Sequence, residues 1–507
     1  MTQPSTQPLT SLVIPTVGRP SLRTLLEALA TGTAPVPGPV VVVDDRRDGP
    51  DLQADLADTG PPGVRVVRSG GGGPARARNI GWRHTSTAWV SFLDDDVVPD
   101  PDWSAVLVRD LTSVASSVAG SQGRVRVPSP EHRRPTDWER STAGLATATW
   151  ITADMSYRRR ALSAVGGFDE RFPRAFREDA DLGLRVTASH GQIVTGDRWI
   201  THPVRPADDW ASLRQQAGNA DDFLMTAVHG PRWRERARAP RGRRTRHAVV
   251  TSAAGLALGS LVAGRSQLAA AAGLAWLAGT AELAWARIEP GPRDRNEVRR
   301  MVLTSAAIPM AATWHSARGA WLHRGAGPWR GLPDLVLFDR DGTLVHDVPY
   351  NGDPALVAPV TGARDALDRL RRLGVRVGLV SNQSGVGSGR ITFDQVEAVN
   401  RRLADLVGPF DVVRFCPHDR DEGCTCRKPA PGMVKAACAA LDVEADRCVV
   451  VGDIGSDVEA AQAAGARAIL VPNAATRPDE VDRGRQGGVA VVDSVPSAVE
   501  EILGGRW

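Results

Sequence analysis

Four short apolar runs in this sequence stop abruptly at carboxylates. Val40–Val43 ends in Asp44-Asp45, Trp89–Leu93 in Asp94-Asp95-Asp96, Leu335–Phe338 in Asp339-Arg340-Asp341-Gly342, and Cys448–Val451 in Gly452-Asp453. Runs of this length without polar alternation read as strands buried on both faces, as in a parallel sheet covered by helices. Leu12–Thr16 and Val375–Val380 are of the same kind, the latter leading into Ser381-Asn382-Gln383. Helical stretches separate the runs: Ala363, Ala366, Leu367, Leu370 and Leu373 recur at helical spacing, with Gly374 as the stop. The fold class is therefore α/β, with acids gathered at the carboxyl edges of parallel sheets, where open α/β folds bind ligands.

A chain of 507 residues is too long for one core. The strand signals fall in two blocks, predicting α/β domains over 11–230 and 333–507, with 1–10 as a disordered tail. Between them, 231–330 is a basic and Ala-rich helical segment. Ala248–Gly264 holds no charge, and Ser266–Ala286 holds only Glu282. Both approach the length that spans a bilayer. Eight arginines lie between Arg232 and Arg246, and Arg287, Arg293, Arg295, Arg299 and Arg300 follow. By the positive-inside rule this is a membrane hairpin with both ends cytosolic. The other reading is a soluble hairpin packed on the first domain, since Arg265 sits at its tip. A third stretch, Met301–Ala317, contains Pro309 and is expected to lie at the membrane interface.

The net charge of +4 comes from that local arginine cluster, so a nucleic-acid-binding surface is not expected. The five cysteines are confined to 416–448, partly at metal-ligand spacing, which fits a reducing compartment. Met1–Thr10 has neither a positive nor an apolar region of the secretory type, so a cytoplasmic protein at the inner face of the membrane is expected.

The order of Asp339-x-Asp341, Ser381, Lys428 and Asp453…Asp457 resembles the haloacid dehalogenase superfamily over about 333–507. The resemblance implies an aspartyl-phosphate mechanism, with Asp339 as nucleophile and Asp341 as general acid and base. It places Mg²⁺ on Asp339, Asp341 through its main-chain carbonyl, and Asp453, supported by Asp457. Ser381, Asn382, Arg427 and Lys428 would hold the phosphate. Ile454 follows Asp453 where relatives often carry Lys. Lys428 and Lys435 are the only lysines among 62 Lys and Arg residues, so a lysine kept in this cluster has a task a guanidinium does not perform.

Cys416-Pro-His418 and Cys424-Thr-Cys426 form a C-x-H…C-x-C set suited to a closed tetrahedral Zn²⁺ site, structural rather than catalytic. Cys438 and Cys448 read as core residues. With Arg427-Lys428-Pro429, the zinc ligands narrow the resemblance to the D-glycero-D-manno-heptose 1,7-bisphosphate phosphatases and the related histidinol phosphatases. The short loop between the ligand pairs is closer to the histidinol branch.

The N-terminal signals, with Ala75-Arg76-Ala77-Arg78-Asn79 and Glu178-Asp179-Ala180-Asp181, resemble family 2 glycosyltransferases over about 11–224. That implies a GT-A nucleotide-binding sheet, beside a C-terminal HAD-like one. By the resemblance, Asp44 or Asp45 reads the donor's base or ribose and Arg78 lies near its phosphates. Asp94 and Asp96 hold Mg²⁺ or Mn²⁺, with His202 a further candidate. Asp179 is the candidate base and Glu178 the runner-up. The Gln-x-x-Arg-Trp motif of processive synthases is absent, so single additions are expected.

The function that the resemblances imply is thus bifunctional: a Mg-dependent phosphatase removing the 7-phosphate of a sugar bisphosphate, D-glycero-D-manno-heptose 1,7-bisphosphate, fused to a metal-dependent transferase using a nucleotide-sugar donor and a lipid or glycan acceptor. The alternative is a histidinol-phosphate-type phosphatase whose N-terminal domain serves only for docking.

Overall fold

Valine-rich runs with no polar face can be buried only between two layers of helices, and this is where the chain puts them. The computed structural model describes residues 8–503. The chain divides into two compact units, with the boundary between Trp329 and Arg330.

In the N-terminal unit eight strands form one sheet: β1 (Thr10–Thr16), β2 (Val40–Asp44), β3 (Arg65–Arg68), β4 (Trp89–Leu93), β5 (Val98–Pro99), β6 (Val118–Arg126), β7 (Asp154–Arg158) and β8 (Gln192–Thr201). Their order is β3-β2-β1-β4-β7-β6-β8-β5. The first four are mutually parallel, and β7 then runs antiparallel to β4. The chain moves outward from β1 to β3 and returns to the other side at β4. That reversal opens a crevice at the carboxyl ends of β1 and β4, where Asp94–Asp96 emerge. β1 begins at Thr10, so the tail expected over 1–10 already enters the sheet; residues 1–7 of that tail lie outside the described residues.

The expected hairpin is two helices, Arg244–Val262 and Ser266–Ile288, joined at Ala263-Gly264-Arg265. Of these, Ser266–Ile288 is long and apolar enough to cross a membrane, with a mean hydropathy of 1.3 and 17% of that window buried. The first arm carries Arg244, Arg246 and His247 in its opening turns.

The third stretch is longer than expected. It is a 28-residue helix, Arg295–Leu322, with Met301, Ser305, Ile308, Ala312, Ser316 and Gly319 buried along it. A Cβ at Gly319 would stand 2.6 Å from the backbone of Ala220, so one side of this helix seats directly on the rest of the N-terminal unit, while Val302, Leu303, Met310, Trp314 and Trp321 are exposed on it. Small residues on its inner side permit that approach. Residues 231–329 fall within the N-terminal unit.

The C-terminal unit holds six parallel strands, β9 (Leu335–Phe338), β10 (Arg376–Asn382), β11 (Val412–Cys416), β12 (Cys448–Gly452), β13 (Arg467–Leu470) and β14 (Ala490–Val491), in the order β11-β10-β9-β12-β13-β14. The direction of winding reverses at β9, between β10 and β12. Asp339 follows β9 and Asp453 follows β12, at the switch point.

Candidate active sites

In the C-terminal unit the Asp339 amide donates to Val451 O at 2.8 Å, which fixes its start at the edge of β9. Gly342 has φ +81°, and a Cβ there would lie 2.5 Å from Asp453 Oδ2, so only glycine lets this turn close over Asp453. Asp453 accepts from Thr343 Oγ1 at 3.0 Å and Asn473 Nδ2 at 2.8 Å. Lys428, buried, reaches from its loop to Asp339, to Asp457 Oδ1 at 2.5 Å and to Val380 O at 3.2 Å. The structure thus brings Asp339, Asp453, Asp457 and Lys428 together.

Asp341 is turned to one side of this cluster. Buried Arg340 grips its carboxylate with two hydrogen bonds of 2.9 Å, and Gln383 donates to it at 2.7 Å. The same Gln383 amide donates to Ser381 Oγ at 2.8 Å, so Ser381 and Asp341 share one partner. The Asn382 amide is engaged on the Lys428 main chain: Oδ1 accepts from Lys428 N at 3.0 Å and Nδ2 donates to Lys428 O at 3.1 Å. Arg427 donates to His418 O at 3.4 Å and lines an open cavity of about 740 Å³ with Lys428, Arg420 and Arg477.

Burial raises Asp339 well above the usual carboxylate range; Lys428 opposes this, and the acids Asp457, Asp453 and Asp341 reinforce it. Asp453 is pushed up to about 6, again mainly by burial and then by Asp457. Lys428 is held charged: its burial opposes the charge, but Asp339 and Asp457 outweigh it. Four carboxylates against Lys428 and Arg340 leave two surplus negative charges on buried or half-buried groups, a donor set that fits a divalent, oxygen-seeking cation.

Cys416, His418, Cys424 and Cys426 have ligand atoms all within 4.8 Å of one another, forming a group that can hold a metal ion. The sulfur–sulfur separations are 3.4, 3.5 and 3.6 Å, and His418 Nδ1 lies 3.3 and 3.6 Å from two of the sulfurs. An ion about 2.3 Å from each sulfur in tetrahedral geometry requires edges of about 3.8 Å, so the cage fits Zn²⁺. Cys438 and Cys448 are buried in the core.

In the N-terminal unit the two acids after β2 separate. Asp44, buried, is saturated by Arg46, with two side-chain hydrogen bonds of 2.8 Å and one from its amide at 3.1 Å. Asp45 accepts from Ser69 Oγ at 2.5 Å and from the Gly72 and Gly73 amides at 2.9 Å, and it lines a cavity of about 200 Å³. Arg78, Asp94, Asp95, Asp96 and Arg205 line the same cavity.

Asp95 is taken up by Thr16 at 2.6 Å and Arg19 at 2.7 Å. Asp94 accepts from Arg78 at 2.7 Å. Asp96 pairs with Arg205 at 2.5 Å and lies 3.7 Å from His202 Nε2; neither of its oxygens accepts a well-aligned hydrogen bond, and burial raises its pKa. An under-satisfied, buried carboxylate beside an imidazole fits Mg²⁺ or Mn²⁺.

Arg78 bridges Asp94 to Glu178 Oε1, 3.0 Å away. Glu178 and Asp179 open the helix Glu178–Ser189, whose N-cap, Arg177, has φ +78°. Burial pushes Glu178 up to about 8, with Asp179 adding and Arg78 opposing, and raises Asp179 in the same direction.

Gln383, Arg340, Asn473 and Arg205 were not singled out from the sequence. Gln383 stands two residues after Ser381 and so on the same side of an extended chain, and Asn473 follows the end of β13 as Asp453 follows β12. Those were the available signals.

Comparison with known proteins agrees with this division. Residues 11–181 match the glycosyl transferase family 2 model and residues 425–498 the HAD-hydrolase-like model. The D-glycero-β-D-manno-heptose-1,7-bisphosphate 7-phosphatase of Pseudomonas putida is 37% identical over 142 residues, 27% of this chain and 81% of that protein. That of Bordetella bronchiseptica is 32% identical over 174 residues, 33% of this chain and 97% of that protein. The chain belongs to this phosphatase family through its C-terminal unit.

A crystal structure of the Bordetella bronchiseptica phosphatase with magnesium and phosphate is 30% identical, covers 34% of this chain and 98% of that one, and has a TM-score of 0.30. The chain therefore joins a glycosyltransferase domain to a HAD-type phosphoric monoester hydrolase, and the α/β folds of both halves are those expected from the sequence.

Proposed function

We propose that the phosphatase unit removes the 7-phosphate of D-glycero-D-manno-heptose 1,7-bisphosphate, and that the transferase unit moves a sugar from a nucleotide donor to an acceptor at the inner face of the membrane. The observation that carries the first part is the convergence of Asp339 and Asp457 on Lys428, beside Asp453, with two negative charges in surplus. The named activity of the relatives supports the substrate.

In this reading Asp339 and Asp453, with the main-chain carbonyl of Asp341, hold Mg²⁺, and Asp457 supports the site through Lys428. The ion supplies charge neutralisation at the phosphoryl oxygens. Ser381 and Lys428 hold those oxygens, and Asn382 holds Lys428. The Asp339 carboxylate forms a bond to phosphorus as the bond from phosphorus to the sugar oxygen breaks, and Asp341 delivers a proton to that oxygen. Asp341 then takes a proton from water as the water oxygen attacks the aspartyl phosphate, releasing phosphate and restoring Asp339. The Cys/His cage holds structural Zn²⁺ and stiffens the loop that carries Arg427 and Lys428.

In the transferase unit Asp94, Asp96 and His202 hold Mg²⁺ or Mn²⁺ against the donor diphosphate, Arg78 lies near the phosphates, and Asp45 reads the nucleoside. Asp44 is left with an internal ion pair. Asp179 takes the proton of the acceptor hydroxyl. The apolar hairpin, with arginines at its base, associates with the membrane surface. The test is direct comparison of heptose 1,7-bisphosphate with histidinol phosphate as substrates of the full chain. Faster turnover of the heptose compound, with the 1-phosphate retained, is expected; faster turnover of histidinol phosphate would overturn the assignment.

A further inference from the structure

The base of the Ala-rich hairpin encloses a cavity of about 390 Å³, wholly within the N-terminal unit, that neither proposed chemistry uses. Four arginines, Arg140, Arg243, Arg287 and Arg300, line it, and Leu283, Met301 and Ile308 give it an apolar side. Three carboxylates, Asp137, Asp208 and Asp209, line it as well. Asp208 pairs with Arg214 at 2.8 Å and Asp209 with Arg300 at 3.0 Å. Asp137 is shared by Arg140 at 3.3 Å and Arg287 at 2.7 Å, and Glu282 by Arg243 at 2.9 Å and Arg246 at 3.1 Å, so each of these two groups leaves one positive charge in surplus at or beside the cavity.

The cavity is joined to the donor site through one residue. Trp138, on its wall, donates from its indole to Arg205 O at 2.8 Å, and the guanidinium of Arg205 pairs with Asp96.

Above the cavity the two arms of the hairpin have no polar stripe. Leu258, Leu261 and Val262 on one arm are 66%, 66% and 83% exposed, and Leu274 and Leu277 on the other 68% and 53%. A helix that is apolar all round belongs in a protein core or in lipid, and a continuous exposed patch of this kind marks an interaction surface. Arginines at its root match an anionic headgroup.

We propose that this cavity holds the phosphate of a phospholipid acceptor, with the lipid's chains along the hairpin in the bilayer and its headgroup hydroxyl directed to the donor site. This rests on the transferase reading above. The transfer forms one bond, from the headgroup oxygen to the donor's anomeric carbon, and breaks one, from that carbon to the diphosphate. The electron pair leaves on the nucleoside diphosphate, and the hydroxyl proton goes to Asp179.

The experiment uses the full-length protein and a photoreactive phosphatidylglycerol, carrying a diazirine on its headgroup, in phosphatidylcholine vesicles. Adducts are expected on peptides spanning 137–141 or 208–216. They are expected to fall about thirty-fold in Arg243→Glu, the worth of reversing one charge near an anionic surface. They are also expected to be lost in Gln215→Trp, which fills the cavity from an exposed position, with both variants melting as wild type does. Adducts confined to the hairpin, or unchanged in both variants, would overturn the headgroup site. Equal suppression by soluble glycerol phosphate would show that the cavity takes a free phosphate, and would overturn the lipid assignment. Metal-dependent binding of a nucleotide sugar is measured separately. Donor binding without cavity adducts overturns this inference alone, and cavity adducts without donor binding overturn the transferase reading.

Discussion

The buried ammonium of Lys428 lies 2.5 Å from Oδ1 of Asp457 and donates as well to Asp339 and to the Val380 carbonyl. Three acceptors converging on one point suit a compact ammonium with three protons better than a planar fork. This accounts for a lysine kept in a chain that otherwise uses arginine at nearly every basic position. Lys428→Arg is expected to keep the fold and lower phosphate release by about 100-fold or more, the usual cost of misplacing one charged donor at a reacting group. Lys428→Met strands two buried carboxylates and is expected to cost about 3–5 kcal/mol of stability. Steady-state phosphate release and thermal denaturation of both variants check this.

Asn382 acts on the same lysine from behind. Asn382→Ala removes both side-chain hydrogen bonds to the Lys428 main chain. The expected result is a fall in kcat of roughly ten-fold with little change in KM, since about 1–1.5 kcal/mol of positioning is lost. A rise in KM alone would instead mark Asn382 as a direct contact to substrate.

Cys424→Ser is expected to remove zinc and to lower the melting temperature by roughly 5–10 °C, because metal binding is part of the folding free energy of this loop. Elemental analysis of the purified variant and a melting curve check it. Hydrolysis well below the melting temperature is expected to persist in reduced form, since the cage supports Lys428 from outside the acid cluster.

The pair Glu178 and Asp179 gives the transferase a defined pH response. Burial pushes Glu178 up to about 8 and raises Asp179, so at neutral pH the pair retains a proton that must leave before Asp179 can act as a base. Transfer is therefore expected to rise with pH through the neutral range toward about 8. Glu178→Gln removes the adjacent negative charge, lowers the Asp179 pKa and shifts the rising limb to lower pH by roughly one unit. A profile unmoved by this substitution would remove Asp179 from the base role.

Much of this was legible because apolar runs that end in acids leave little freedom: β9 and β12 need burial on both faces, and their first polar residues must fall at the sheet edge. The cysteine cage was equally plain from spacing. The partners that orient those groups were not. Gln383 fixes Asp341 from a distant segment, Arg340 grips it from the neighbouring position where an extended chain would point the two side chains apart, and nothing local distinguishes Asp44, which turns inward to Arg46, from Asp45, which turns to the glycine loop. The packing of the helix Arg295–Leu322 against its own unit was not legible for another reason. Its buried face includes Ser305, Ser316 and Gly319, small residues that permit close packing yet carry almost no hydrophobic signal.

The measurement that bears most directly on the whole account is phosphate release from D-glycero-D-manno-heptose 1,7-bisphosphate by the full chain and by Asp339→Asn, with magnesium. The wild type is expected to release the 7-phosphate and leave the 1-phosphate, and the variant, folded and zinc-loaded, to release none. Hydrolysis by the variant at the wild-type rate would contradict the account.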